Sequence, residues 1–177
     1  MNLPEYVSLG MTAQRNAVVL LDNESSALPL PAETRIFVDG LDPSVAAKYG
    51  TVVERPDEAD VVLLFLNTVF NGNQPAGTDR TLDQMMATRF PDTNLAFSEE
   101  ILAKAASYRE VSQLVTLVDL NRPAVLTELN GMSDALVGTF GVSDEAMLDV
   151  VFGKHNPVGK LPFELPSSMA EVEAQLE

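Results

Sequence analysis

The run Val61-Val-Leu-Leu-Phe-Leu66, bounded by Asp60 and Asn67, contains no polar residue. A strand with one wet face alternates apolar and polar side chains. One that is apolar throughout needs both faces of its sheet covered, which is the situation of a parallel sheet between helices. At 177 residues the chain is long enough for one such domain with a substantial core.

The neighbouring segments fit that frame. Residues 11–21 place Ala13, Ala17, Val18, Leu20 and Leu21 on one side at helical spacing, predicting a helix. Leu28-Pro-Leu-Pro31 must be extended, because each proline restricts the residue before it. Residues 35–40 read as a first strand ending in an Asp-Gly turn, and Ser44 as the cap of a short helix through Tyr49. Residues 60–66 form the second strand. Ser98 caps a helix whose first turn carries Glu99 and Glu100, whose face is Ile101, Leu102, Ala105 and Ala106, and whose Glu100 pairs with Lys104. Gln113–Leu120 is a third strand, Ala124–Leu129 a short apolar segment and Ala135–Phe140 a fourth strand. Ser143 caps a further helix that buries Met147, Leu148, Val151 and Phe152. Gly153–Pro166 is rich in glycine and proline, with a strand-like Leu161–Leu165.

Strands alternating with helices imply right-handed crossovers. The expected fold is α/β, a three-layer sandwich with a mostly parallel sheet of about five to six strands and helices on both faces. One domain spans 1–177, with residues 1–10 as an N-terminal extension and 168–177 as an acidic tail.

Eleven basic against 26 acidic residues give a net charge of −15. Such a surface repels phosphate, so neither nucleic acid nor an anionic membrane is an expected partner. No apolar run approaches a membrane span, and Met1–Gly10 has neither the basic region nor the apolar core of a signal peptide, which leaves the localisation unknown. The absence of cysteine removes disulfides, thiolate catalysis and thiolate metal sites, and no metal or cofactor is expected. The sequon Asn23-Glu-Ser25 carries no weight, being common by chance.

Two segments look chemical. Gly153-Lys-His-Asn-Pro-Val-Gly-Lys160 resembles a phosphate loop, but its glycines stand one residue too far apart and Leu161 occupies the magnesium-binding Ser/Thr position. Gly153 reads instead as a helix C-cap with Pro157 beyond it. His155 is the one histidine and reads as structural or exposed within that turn. Neither a nucleophile elbow nor a dinucleotide fingerprint is present. Asn71-Gly-Asn-Gln-Pro-Ala-Gly-Thr-Asp-Arg80 follows the carboxyl end of the second strand, where open α/β sheets place ligands. There Asp79 offers acceptors and Arg80 donors suited to sugar hydroxyls, with Asn73 as a neighbouring amide. Met85 and Met86 read as packing.

Asn16-Ala-Val-Val-Leu-Leu-Asp-Asn-Glu with Leu28-Pro-Leu-Pro, then Leu120-Asn-Arg-Pro-Ala-Val-Leu, then Asp149 through Phe163 resemble, in combination and order, the C-terminal α/β sandwich domain of glycoside hydrolase family 3. That family shows "VLLKN", "LLPL", "RPV" and "GxxNPSGKLP"; here Val158 replaces the serine. The resemblance implies β-glucosidase-like hydrolysis of terminal O-glycosidic bonds. It also implies a (β/α)8 barrel partner carrying the aspartate nucleophile, and an acid/base glutamate on the loop after the second strand, in a pattern like "GEGYDR". Retention sets the two carboxyls about 5–5.5 Å apart, so that loop must reach across to the barrel. Gly77, Asp79 and Arg80 match the pattern, while the glutamate position falls on Ala76, which has no proton to give. The nearby acids are Asp79, Asp83 and Asp92. The catalytic residue of this chain is therefore unknown, and the chain alone is expected to be inactive. Two alternatives stay open: a non-catalytic sugar-binding or assembly module derived from that domain, and a receiver- or flavodoxin-like domain using Asp39 and Asp119.

Overall fold

The computed structural model describes residues 3–68 and 94–174. Among them six strands form one sheet: β1 (Val19–Asp22), β2 (Arg35–Asp39), β3 (Thr51–Val52), β4 (Val61–Asn67), β5 (Gln113–Asp119) and β6 (Ala135–Thr139), in the order β1-β6-β5-β4-β2-β3. Every pairing is parallel except that of β1 with β6. The helices are α1 (Pro4–Asn16), α2 (Pro43–Ala46), α3 (Glu99–Val111), α4 (Thr127–Met132), α5 (Asp144–Val151) and α6 (Met169–Ala174).

The three expected layers are visible in how the strands divide their side chains. Val61 and Leu63 of β4 join one core cluster with Ala46 of α2 and Met147, Leu148 and Val151 of α5. Val62, Leu64 and Leu66 join the other, with Ala105 of α3 and Leu129 of α4. Val115 and Leu117 of β5 repeat the first assignment, and Leu114 and Val118 the second. β4 and β5 each bury both faces, which is why neither sequence shows polar alternation.

Helix starts follow local chemistry. Ser98 Oγ accepts from Ile101 N at 3.4 Å and Ser143 Oγ from Ala146 N at 3.4 Å, both satisfying an otherwise orphaned first-turn donor. Gly153 ends the turn after α5 with φ of +67°.

Several expectations are corrected. The helix expected over 11–21 ends at Asn16, and Val19–Asp22 is instead strand β1. Val18 and Leu20 pack on one face and Leu21 on the other, and a short strand buried on both faces cannot be told from a helix by periodicity. The cap of α2 is Asp42, which accepts from Ser44 N at 2.8 Å, and the helix stops at Ala46. Lys104 reaches across to Asp39 at 3.0 Å. The segment 124–129 contains the first turn of α4, preceded by a parallel bridge from Val125 to Ala96. Leu161–Leu165 belongs to no strand, although Leu161, Phe163 and Leu165 pack on the second cluster and Phe163 meets Phe140 edge to face at 6.0 Å. β3, two residues long, is too short to leave a periodic signal. Residues 4–10 belong to α1 and 169–174 to α6.

Two of the three motif segments touch. His155 Nε2 lies 2.8 Å from Asn16 Oδ1, and a Cβ on Gly159 would stand 2.5 Å from Val18 O and 2.9 Å from Asn16 O. His155 is thus a structural partner of Asn16, and Gly159 is the residue that lets the two backbones approach.

Candidate functional site

The parallel strands β2, β4, β5 and β6 present their carboxyl ends along one edge. The chain runs from β2 out to β3 and returns as β4 on the opposite side of β2, so the strand order reverses between β2 and β4. Open α/β sheets receive ligands at such a reversal. Asp39 ends β2, and Gly40 follows with φ of +89°, where a Cβ would stand 2.6 Å from Phe65 O. The Asp-Gly turn therefore needs its glycine for both conformation and clearance.

Asp39 Oδ2 accepts from Lys104 Nζ at 3.0 Å and from the Tyr108 hydroxyl at 2.9 Å. Burial, reinforced by the Asp39 carboxylate, pushes the Tyr108 phenol up to about 12.

Asp119 ends β5 and is buried. Its Oδ1 accepts from Gly141 N at 2.6 Å and Thr139 Oγ1 at 3.2 Å, and its Oδ2 from Asn121 Nδ2 at 2.7 Å. Its backbone carbonyl accepts both Thr68 N at 3.1 Å and Thr68 Oγ1 at 3.0 Å. Arg122 Nη2, three residues on, donates to Asn94 O at 2.9 Å, and Val125 N donates to Leu95 O at 2.9 Å. One turn, 119–125, thus holds both Thr68 and Asn94–Leu95, the described residues flanking 69–93.

Asn73, Ala76, Asp79 and Arg80 lie outside the described residues, as do Asp83, Met85, Met86 and Asp92. What the structure adds is how the described residues on either side, Thr68 and Asn94–Leu95, are held. Asp119, in the sequence a candidate only as a receiver-type acid, is an anchor whose carboxylate takes three donors and whose carbonyl takes two more, and Arg122 of the Asn-Arg-Pro segment is a second anchor. An acid directly after the apolar pair Leu117-Val118 at the end of β5 was the visible signal for the first. Among the described residues no three His, Asp or Glu side chains are grouped as a metal ion would need. Asp39 and Asp119 both serve internal donors.

Fold and edge together define a three-layer α/β sandwich domain whose strand order reverses between the carboxyl ends of β2 and β4. Residues 40–176 match the model of the glycosyl hydrolase family 3 C-terminal domain, and the chain belongs to that family. It is 40% identical to beta-glucosidase C of Emericella nidulans, over 97% of this chain and 27% of that protein. With the periplasmic beta-glucosidase/beta-xylosidase of Dickeya chrysanthemi it shares 33% identity over 97% of this chain and 25% of that protein. The beta-glucosidase of Listeria innocua crystallised with glucose superposes with a TM-score of 0.74 at 19% identity, covering 96% of this chain and 28% of that one, a likeness of fold. The chain thus spans about a quarter of the length of these relatives. Family membership removes the receiver-like alternative.

Proposed function

We propose that this domain forms one wall of the sugar site of a β-glucosidase-like enzyme, beside a (β/α)8 barrel that supplies the nucleophile, for hydrolysis of terminal O-glycosidic bonds. The observation that carries the reading is the asymmetry of coverage: 97% of this chain aligns with 27% of a beta-glucosidase. In this reading Asp79 and Arg80, with Asn73, face the sugar hydroxyls, and the turn 119–125 fixes the ends of the segment that carries them. The barrel is the partner and a carbohydrate the substrate. The 177-residue chain alone hydrolyses no aryl glycoside, because retention needs a second carboxylate from the barrel. Turnover of an aryl β-glucoside by the purified chain, abolished by Asp79→Ala, would overturn this.

Ala76 favours a second reading, a non-catalytic sugar-binding or assembly module on the same scaffold, since the expected proton donor is replaced. Calorimetric titration of the purified chain with glucose and short β-glucans separates the two. Binding without a barrel supports the module, and silence supports the enzyme wall.

A further inference from the structure

No residue of α1 is buried, and Leu3, Tyr6, Val7 and Leu9 are exposed by 42, 61, 55 and 65%. Leu3, Tyr6, Val7 and Gly10 recur at helical spacing with Leu9 beside them, while Glu5, Ser8 and Thr12 lie opposite, which is the pattern of a helix made to bury one face. The last turn of α1 is the end that is held. Gln14 Oε1 accepts from Ser143 N at 2.8 Å, Arg15 Nε donates to Asp149 Oδ2 at 2.6 Å, and Asn16 Oδ1 meets His155 Nε2 at 2.8 Å. From Leu3 to Gln14 the one charged residue is Glu5, on a molecule of net charge −15. Depletion of charge around Tyr, Met and aliphatic side chains marks the centre of a protein interface, and four large apolar residues on one helix face exceed ordinary surface scatter.

We propose that the Leu3–Tyr6–Val7–Leu9 face of α1 is the surface on which this domain docks against the domain that precedes it in family members of the relatives' length. The proposal rests on the function proposed above and names its contact. The matched family model is described as that of a C-terminal domain and the match covers 27% of that relative, so such proteins carry further polypeptide ahead of the matched domain. Coverage of 97% leaves 3% of 177 residues, about five, unmatched, fewer than the 13 residues of α1, so this helix takes part in the alignment. The preceding polypeptide therefore arrives at the N-terminal end of α1, where the apolar residues lie.

The test places this chain in the position of the matched segment of the Emericella nidulans beta-glucosidase C and follows amide exchange over residues 3–10. Exchange about tenfold slower in the fusion than in the 177-residue chain is the expected result. The triple variant Tyr6→Ser, Val7→Ser, Leu9→Ser should erase that protection while leaving the urea midpoint of the 177-residue chain unchanged. Equal exchange in fusion and chain overturns the proposal. So does concentration-dependent protection in the chain alone, which would assign the face to a second copy. A fusion that protects α1 but hydrolyses no aryl β-glucoside sinks the proposed function and leaves the docking face standing. A fusion active with α1 unprotected does the reverse. Should the fusion fail to fold, the preceding segment of that relative is added in trans, where protection of residues 3–10 supports the contact and its absence overturns it.

Discussion

Arg15 Nε donates to Asp149 Oδ2 at 2.6 Å across 134 positions of sequence, joining the last turn of α1 to the middle of α5. Asp149 is buried, and its other oxygen takes the Tyr49 hydroxyl at 2.7 Å. Lys154 Nζ lies over the Tyr49 ring, 3.8 Å from its centroid, closing the group. Asp149→Ala leaves the buried Tyr49 phenol only the Glu145 carbonyl, 3.1 Å away, as acceptor, and a guanidinium that is still partly solvated. The expected loss is about 2–4 kcal/mol of unfolding free energy in urea. Asp149→Asn keeps an acceptor and should lose less than Ala; a variant within about 0.5 kcal/mol of wild type would show the pair to be ornamental.

Tyr49 and Tyr108 make stability fall at alkaline pH. Burial first, then the hydrogen bond and charge of Asp149 or Asp39, raise both phenols above the ordinary value of 10.0, Tyr108 to about 12. Below pH 10 both are neutral in the folded and unfolded chains, and their contribution is fully present. As pH rises past 10 the unfolded chain releases these protons and the folded one does not, so unfolding becomes easier until the folded phenols also ionise. Urea midpoints taken from pH 9 to 12 should decline, and the double variant Tyr49→Phe, Tyr108→Phe should flatten that decline. An unchanged slope would refute the assignment.

The layered architecture was legible because each central strand is apolar on both faces and each of α3 and α5 opens on a serine with acids behind it. β1 was not, because Val18, Leu20 and Leu21 fit a helical face as well as a two-sided strand, and only pairing with β6 decides between them. The ligand-side edge of the sheet was legible as a place, the carboxyl end of β4. Its supports were not, since the contacts of Asp119 to Thr68 and of Arg122 to Asn94 join residues 51 and 28 positions apart, and nothing in local spacing announces them. The close approach of Gly159 to Val18 was hidden for the same reason, although both segments stood out as motifs.

Asp119→Ala removes the acceptor for Gly141 N, Thr139 Oγ1 and Asn121 Nδ2 at a buried position. The backbone carbonyl that holds Thr68 remains, but the turn around it loses its tie to the end of β6. A loss of about 2–3 kcal/mol is expected in urea denaturation. Amides of Thr68 and Gly141 should exchange faster than those of β2, which shares none of these bonds. Uniform acceleration across the whole sheet would mean a global effect and no local anchoring.

Two glycine substitutions should act in opposite directions. A Cβ at Gly159 would meet Val18 O at 2.5 Å and Asn16 O at 2.9 Å, both backbone atoms of a segment leading into β1 that cannot step aside without disturbing β1. Gly159→Ala should therefore cost about 2–3 kcal/mol, as overpacking of a fixed contact does. Gly10 lies within α1 with nothing within 4 Å of an added Cβ. Gly10→Ala restricts the unfolded chain and suits a helix interior, so it should gain about 0.5–1 kcal/mol of helix stability. That gain reads out as slower exchange over α1, because the helix can fray without unfolding the sheet. The two variants measured side by side distinguish a glycine required by its neighbours from one merely tolerated, and equal effects would contradict the packing described at Gly159.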